Sequence, residues 1–178
     1  QRQMCIRDRV YIELNTNELY GRNLTAGALD VMGQYYSVAS SSHAFYNYGG
    51  LVYTGNDEKA LFDNMWQKCY AVIACCNTII EKCDENKAGL SPVWKGSIKG
   101  EALALRAMLH FDMLRLFGPL TSELDKESIP YQTNSDQTVT PLLSGSEVIG
   151  LILDDLKNAV GLLKDTDPYF VEAVSYTH

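Results

Sequence analysis

The sequence is poor in clustered positive charge. Of 178 residues, 15 are Lys or Arg against 22 Asp or Glu, and the longest basic scatter is Arg7, Asp8 and Arg9. Binding a nucleic-acid backbone needs many Lys and Arg on one face, so nucleic acid is excluded as a partner. Long apolar runs are missing as well. No stretch approaches the roughly 20 residues of a membrane span, and no basic flank joined to an apolar run marks a leader near Gln1. The chain has no Gly-rich phosphate loop and no G-x-S-x-G turn. His43 and His110 lack a second His at ligand spacing, and no Cys-x-x-Cys pair signals zinc. A glycosidase would need two carboxylates about 5–10 Å apart. Glu101 and Asp112 would stand about 16 Å apart along one helix, and a pairing with Asp154 or Asp155 has no spacing to support it. These absences name no catalytic residue, no metal and no cofactor.

What is present is the composition of a globular chain: 46% hydrophobic, 21% charged, with a formal charge of −7 that reads as a solvated acidic surface. Both ends look foreign. Gln1–Arg9 has no periodicity and contains MCIRDR, a peptide seen when sequencing-adapter DNA is translated. Residues 173–178 read AVSYTH, the companion peptide. Residues 1–9 and 173–178 are therefore set aside, which implies a fragment with readable chain from 10 to 172. Cys69, Cys76 and Cys83 fall seven apart on one expected helix. Their Cα atoms would be about 10.5 Å apart, beyond disulfide reach of about 7 Å. They read, with Cys75, as small buried hydrophobes.

The readable chain is helical. A first helix is expected over about Asn17–Val38, with Leu19, Leu24, Ala28, Val31, Met32 and Tyr35 on its apolar side and Gly21, Gly27 and Gly33 weakening it. A Ser-rich, then aromatic, then Gly-rich loop follows to Asn56. A second helix is expected over Asp57–Glu85, capped by Asn56 or Asp57 and stopped by Asn86 and Gly89. Trp66, Tyr70, Ile73, Asn77 and Ile80 recur along it at helical spacing. Ser91 and Pro92 open a third helix that runs to Phe117 and ends at Gly118-Pro119. That helix is apolar around most of its circumference, so neighbours should sandwich it. A long connection over Leu120–Leu143 should pack on the helices. The capping box Ser144-x-x-Glu147 opens a last helix ending at Thr166-Asp167-Pro168. The fold class is all-α, with helices two and three paired as in a helical solenoid. Helix four lacks a sequential partner.

Trp66-x3-Tyr70-x2-Ile73-x3-Asn77 is similar to a motif of the SusD/RagB family. Gly100-Glu101-Ala102-x-Ala104-x-Arg106-Ala107-x2-His110-Phe111-x3-Arg115-x-Phe117-Gly118 resembles that family's signature nearly position for position, with Met113 where Leu occurs. Ile129-Pro130-Tyr131 and Asp154-Asp155-Leu156-x2-Ala159 resemble its next two motifs, in order. The resemblance covers about Trp66–Leu163. It implies a tetratricopeptide-like scaffold with long loops in a surface-exposed lipoprotein of the outer membrane. Such a protein captures oligosaccharide, without catalysis, for a SusC-like TonB-dependent transporter. Its contact with the membrane would be through a lipid anchor missing from these residues. The alternative is a helical-repeat adaptor that binds proteins.

Most signature residues read as structural. Trp66, Tyr70, Ala102, Ala104, Ala107 and Phe111 are expected in the core. Arg106 needs a partner, either Glu101, at a poor offset of five, or an acid on a neighbouring helix, with direct ligand contact as the alternative. Asp112 and Arg115 can pair locally. Asn77, Glu101, His110, Arg115 and Gly118 complete the structural set. Tyr46, Tyr48 and Tyr53, with Asn47, are the candidate ligand contacts, because sugar rings stack on aromatic faces while amides bind their hydroxyls. The alternative is a loop packed down by its own tyrosines.

Overall fold

A computed structural model describes the backbone of residues 2–24, 27–136 and 139–165 and the side chains from Arg7 onward. Its helices are α1 (Arg2–Leu14), α2 (Ala28–Met32), α3 (Tyr46–Gly49), α4 (Asn56–Glu85), α5 (Pro92–Phe117) and α6 (Gly145–Leu163). One short antiparallel hairpin, β1 (Glu127–Pro130) with β2 (Leu142–Ser144), joins α5 to α6. The scaffold is all-α as the sequence implied. The residues divide into two units, one built on the second half of α4, α5, α6 and the hairpin, the other on Asp8–Val72.

Capping chemistry sets the long helices. The Ser91 hydroxyl accepts from the Trp94 amide at 3.4 Å, and Pro92 occupies the first turn. At α6 the capping box closes both ways: the Glu147 amide donates to Ser144 Oγ at 3.3 Å, and the Ser144 amide donates to the Glu147 carboxylate at 2.8 Å. Helix α4 starts one residue earlier than expected, so Asn56 lies inside it. It stops where Asn86 adopts φ 45° and ties down Leu90 with its side chain, accepting from the Leu90 amide at 2.8 Å. Gly89 follows at φ 64°, a backbone region few other residues enter cheaply. Gly118 ends α5 in an extended conformation, not a left-handed one. Its need for glycine is spatial, because a Cβ would run into the Leu114 carbonyl oxygen.

Within the first unit α6 packs along α5, and the hairpin lies against both. Gly100 permits the close approach: a Cβ there would sit 2.8 Å from Leu163 Cγ. The second half of α4 runs antiparallel to α5, as paired contacts of Asn77 with Arg106 and of Asp84 with Lys99 require. Cys69, Cys76 and Cys83 are buried along α4, and Cys75 is half-buried, none of them in a disulfide. Burial pushes the Cys76 thiol up to about 12, so it stays protonated.

Three expectations are corrected. The first helix does not form over Asn17–Val38. A helix instead runs through Arg2–Leu14, including residues set aside on the sequence, and residues 15–24 follow as tight turns. Gly21 drives this, donating to the Thr16 carbonyl at 3.0 Å with no room for a Cβ. Leu19, Leu24, Ala28 and Val31 are buried as expected, but Gln34 at φ 59° turns the chain out and leaves Tyr35 80% exposed. Phe111 is not core. It is 47% exposed, on a stripe with Met108 and Arg115 that points away from α6, and the Arg115 guanidinium lies 5.7 Å from its ring centre. Trp66 and Tyr70 are half-buried, with ring centres 4.7 Å apart, rather than fully enclosed. The Thr166-Asp167-Pro168 stop and the 173–178 tail lie outside the described residues.

Candidate functional site

Two clusters hold the residues singled out on the sequence. The first is a buried polar hub. Arg106, from the middle of α5, grips Asp155 of α6 with two bonds, Nε to Oδ2 and Nη2 to Oδ1, each 2.7 Å. Its remaining nitrogen donates to Asn77 Oδ1 at 2.8 Å. The partner is thus the acid on the neighbouring helix, not Glu101, which pairs with Arg7 at 2.8 Å. Tyr131 donates its hydroxyl to Asp155 at 2.6 Å and stacks on His110 with ring centres 3.9 Å apart. Burial, then the bond to Asp155, raises the Tyr131 pKa, so the phenol remains a donor. Burial alone would lower the Arg106 pKa, but Asp155 more than offsets it and the guanidinium stays charged.

The hub also holds a loop. Asn77 Nδ2 donates to the carbonyls of Gln132 and Asn134 at 3.1 and 2.8 Å. The Gln132 amide donates to His110 Nε2 at 3.0 Å, which fixes the tautomer: Nδ1 carries the proton and gives it to the Arg106 carbonyl at 2.9 Å. Burial, with the Arg106 charge beside it, lowers the His110 pKa to about 4 and keeps the ring neutral. Glu81 adds a bond from the Ser135 amide at 2.7 Å. Every polar hub member is engaged within the protein, and the Arg115–Asp112 pair forms locally at 3.1 Å.

The second cluster is the aromatic loop, in the other unit. Tyr48 is 3% exposed and packs among Phe45, Tyr53 and Phe62, with centres 5.7, 6.4 and 5.8 Å away. Burial, then Glu58 and Asp57, pushes its pKa up to about 12. Tyr53, half-buried, meets Phe62 edge-on at 5.4 Å. These two tyrosines hold the loop down. Tyr46 is 43% exposed, and with Asn47 it lines a surface hollow of about 580 Å³. Gln34 and Tyr36 line the same hollow, and Tyr36 is 58% exposed. Both fall inside the helix expected over Asn17–Val38, where periodicity gives neither a ligand-facing role. The run Gly33-Gln34-Tyr35-Tyr36 was the available signal, since a glycine before polar and aromatic residues suits a helix stop.

A second hollow of about 590 Å³ lies beside the hub, lined by Lys99, Arg106, Asp155 and Lys157 among others. It has no aromatic wall, and Arg106 and Asp155 are already bound to each other. Among the described residues no group of His, Cys, Asp and Glu could hold a metal ion, and no helix is long and apolar enough to cross a membrane.

The fold and the hub define a class: an all-α scaffold of two units, one locked by a buried Arg–Asp pair and the other carrying an aromatic loop. The particular family follows from comparison. Residues 11–174 match the SusD-like family described as "Starch-binding associating with outer membrane", and the chain belongs to that family. A SusD-like protein of Formosa agariphila is 34% identical over 53% of this chain and 17% of its own length. One of Bacteroides ovatus is 30% identical over 60% of this chain and 19% of its own. The chain therefore spans about a fifth of the length of these curated relatives. A solved SusD superfamily protein of Bacteroides thetaiotaomicron has the same fold, with a TM-score of 0.69 over 90% of this chain and 36% of that one, at 18% identity.

Proposed function

We propose that this chain is part of a nutrient-binding protein that captures oligosaccharide at the outer face of the outer membrane without cleaving it. It passes the ligand to a SusC-like TonB-dependent transporter, and a lipid anchor outside these residues holds it at the surface. Membership of a family described as starch-binding supports the reading. The observation that carries it is the hollow where the exposed Tyr36 and Tyr46 rings stand beside the amides of Gln34 and Asn47. A pyranose offers apolar ring faces edged with hydroxyls, so adjacent aromatic surface and amides complement it. Tyr48 and Tyr53 serve by holding that surface in place, not by touching ligand.

The test is a glycan array, maltooligosaccharides included, probed with the protein and with its Y36A and Y46A variants. Retention of one glycan class that both substitutions abolish, with helicity unchanged, supports the reading. Retention of no glycan, or retention indifferent to both tyrosines, contradicts it and leaves the protein-binding adaptor in its place.

A further inference from the structure

An exposed Asn in the hollow is held from behind by a buried carboxylate. Asn47 Nδ2 donates to Glu58 Oε1 at 2.7 Å. Asn47 itself is exposed, whereas Glu58 is 6% exposed, tucked under the loop in the first turn of α4. A carboxylate only accepts, so only the NH2 end of the amide can face it. That settles which way the Asn47 amide points, a choice that an exposed Asn otherwise leaves open. The helix N-terminus favours the ionised form of Glu58. The Asn47 bond and its own backbone amide lower its pKa, so it stays an acceptor across the neutral range. Asn47 Oδ1 has no partner among the described residues, and Asn47 lines the hollow beside Tyr46.

We propose that Glu58 is a positioning residue that sets the polarity of the sugar subsite: it pins the Asn47 amide so that Oδ1, an acceptor, is offered to ligand between the aromatic walls. This rests on the oligosaccharide reading and adds a specificity to it. The subsite selects a sugar carrying a hydroxyl donor at that point and disfavours one whose only group there is an acceptor. Glu58 touches no ligand.

Reversing the polarity tests this. In E58Q the partner presents a carbonyl and an NH2 group equally, so the Asn47 amide takes both orientations and the preference between a hydroxyl and an acceptor-only group narrows. In E58K the partner only donates, so the amide turns over and presents Nδ2 to the ligand. A hydroxyl can accept as well as donate, so the parent glycan keeps its bond and the change is read on an acceptor-only analogue. The decisive probe is the retained glycan and its deoxyfluoro analogues, in which fluorine accepts but cannot donate. The unsubstituted protein should reject one analogue, while E58K should bind that analogue as well as the parent glycan or better. A merely structural Glu58 would weaken both ligands alike, and that result overturns the proposal. If E58K fails to fold, E58Q decides alone: unchanged preference between glycan and analogue overturns it, and a narrowed preference supports it. The Asn47 side-chain NMR signals separate this from the parent reading. Signals shifted by Glu58 with no glycan retained mean that the pinning is real and the oligosaccharide reading is wrong. Signals indifferent to E58Q while glycan is retained refute the pinning alone.

Discussion

The hub and the aromatic loop use polar and aromatic groups to opposite ends. In the hub, Arg106, Asp155, Asn77, His110 and Tyr131 are buried and turned on one another, so their chemistry is consumed in joining α4, α5, α6 and the 132–135 loop. In the loop, Tyr48 and Tyr53 are consumed in the same way, but Tyr46, Tyr36 and Asn47 remain at the surface beside a hollow. The motif residues of the hub thus have their hydrogen-bonding capacity taken up inside the protein. Under the proposed reading, the groups left to meet ligand are those exposed beside the hollow.

The largest effect that could break this comparison is D155A. It leaves the Arg106 guanidinium buried without its bidentate partner, and about 3–5 kcal/mol of unfolding free energy should be lost in urea titration. A loss under about 1 kcal/mol would mean that the hub is not the lock described. Next is Y48A against Y46A. Emptying the buried Tyr48 site should cost about 3–5 kcal/mol, while Y46A should stay within about 0.5 kcal/mol yet abolish glycan retention. Equal costs would erase the division of labour between the two tyrosines.

Acid titration sharpens the comparison from the hub side. His110 has a folded pKa of about 4, below the ordinary 6.5 of the unfolded chain. Between these values the unfolded state binds the extra proton. The contribution is therefore complete above pH 6.5 and is lost progressively as pH falls toward 4, amounting to about 3 kcal/mol. In H110Q that part of the stability–pH curve should flatten, as chemical denaturation across the range will show. Smaller still is N77A, which frees the carbonyls of Gln132 and Asn134 and leaves Arg106 one acceptor short. A cost of about 1–3 kcal/mol and faster amide exchange confined to residues near 132–135 are expected.

What the sequence made legible follows the strength of the local chemistry. Ser91-Pro92, Ser144-x-x-Glu147 and Asn86 with Gly89 are short-range signals, and the helices they bound appeared within a residue or so of the expected places. The region before Gly55 departs from the helix expected over Asn17–Val38. Its apolar spacing at Leu19, Leu24, Ala28 and Val31 did predict burial, but turns satisfy the same spacing once Gly21 lets carbonyls crowd in. Phe111 failed for a different reason: α5 is apolar nearly all round, so periodicity could not tell its inner faces from the Met108–Phe111–Arg115 stripe. The partner of Arg106 was foreseen only as a class, because two helices far apart in sequence bring Asp155 to it. Glu58 was invisible, since its role comes from a loop folding back over the start of α4.

The most direct measurement of the central claim is amide hydrogen exchange of the protein with and without the glycan it retains. Protection gained over residues 34–53, with residues 106–110 and 132–135 unchanged, is the predicted result. Protection centred on the hub, or none in the aromatic loop, would contradict it.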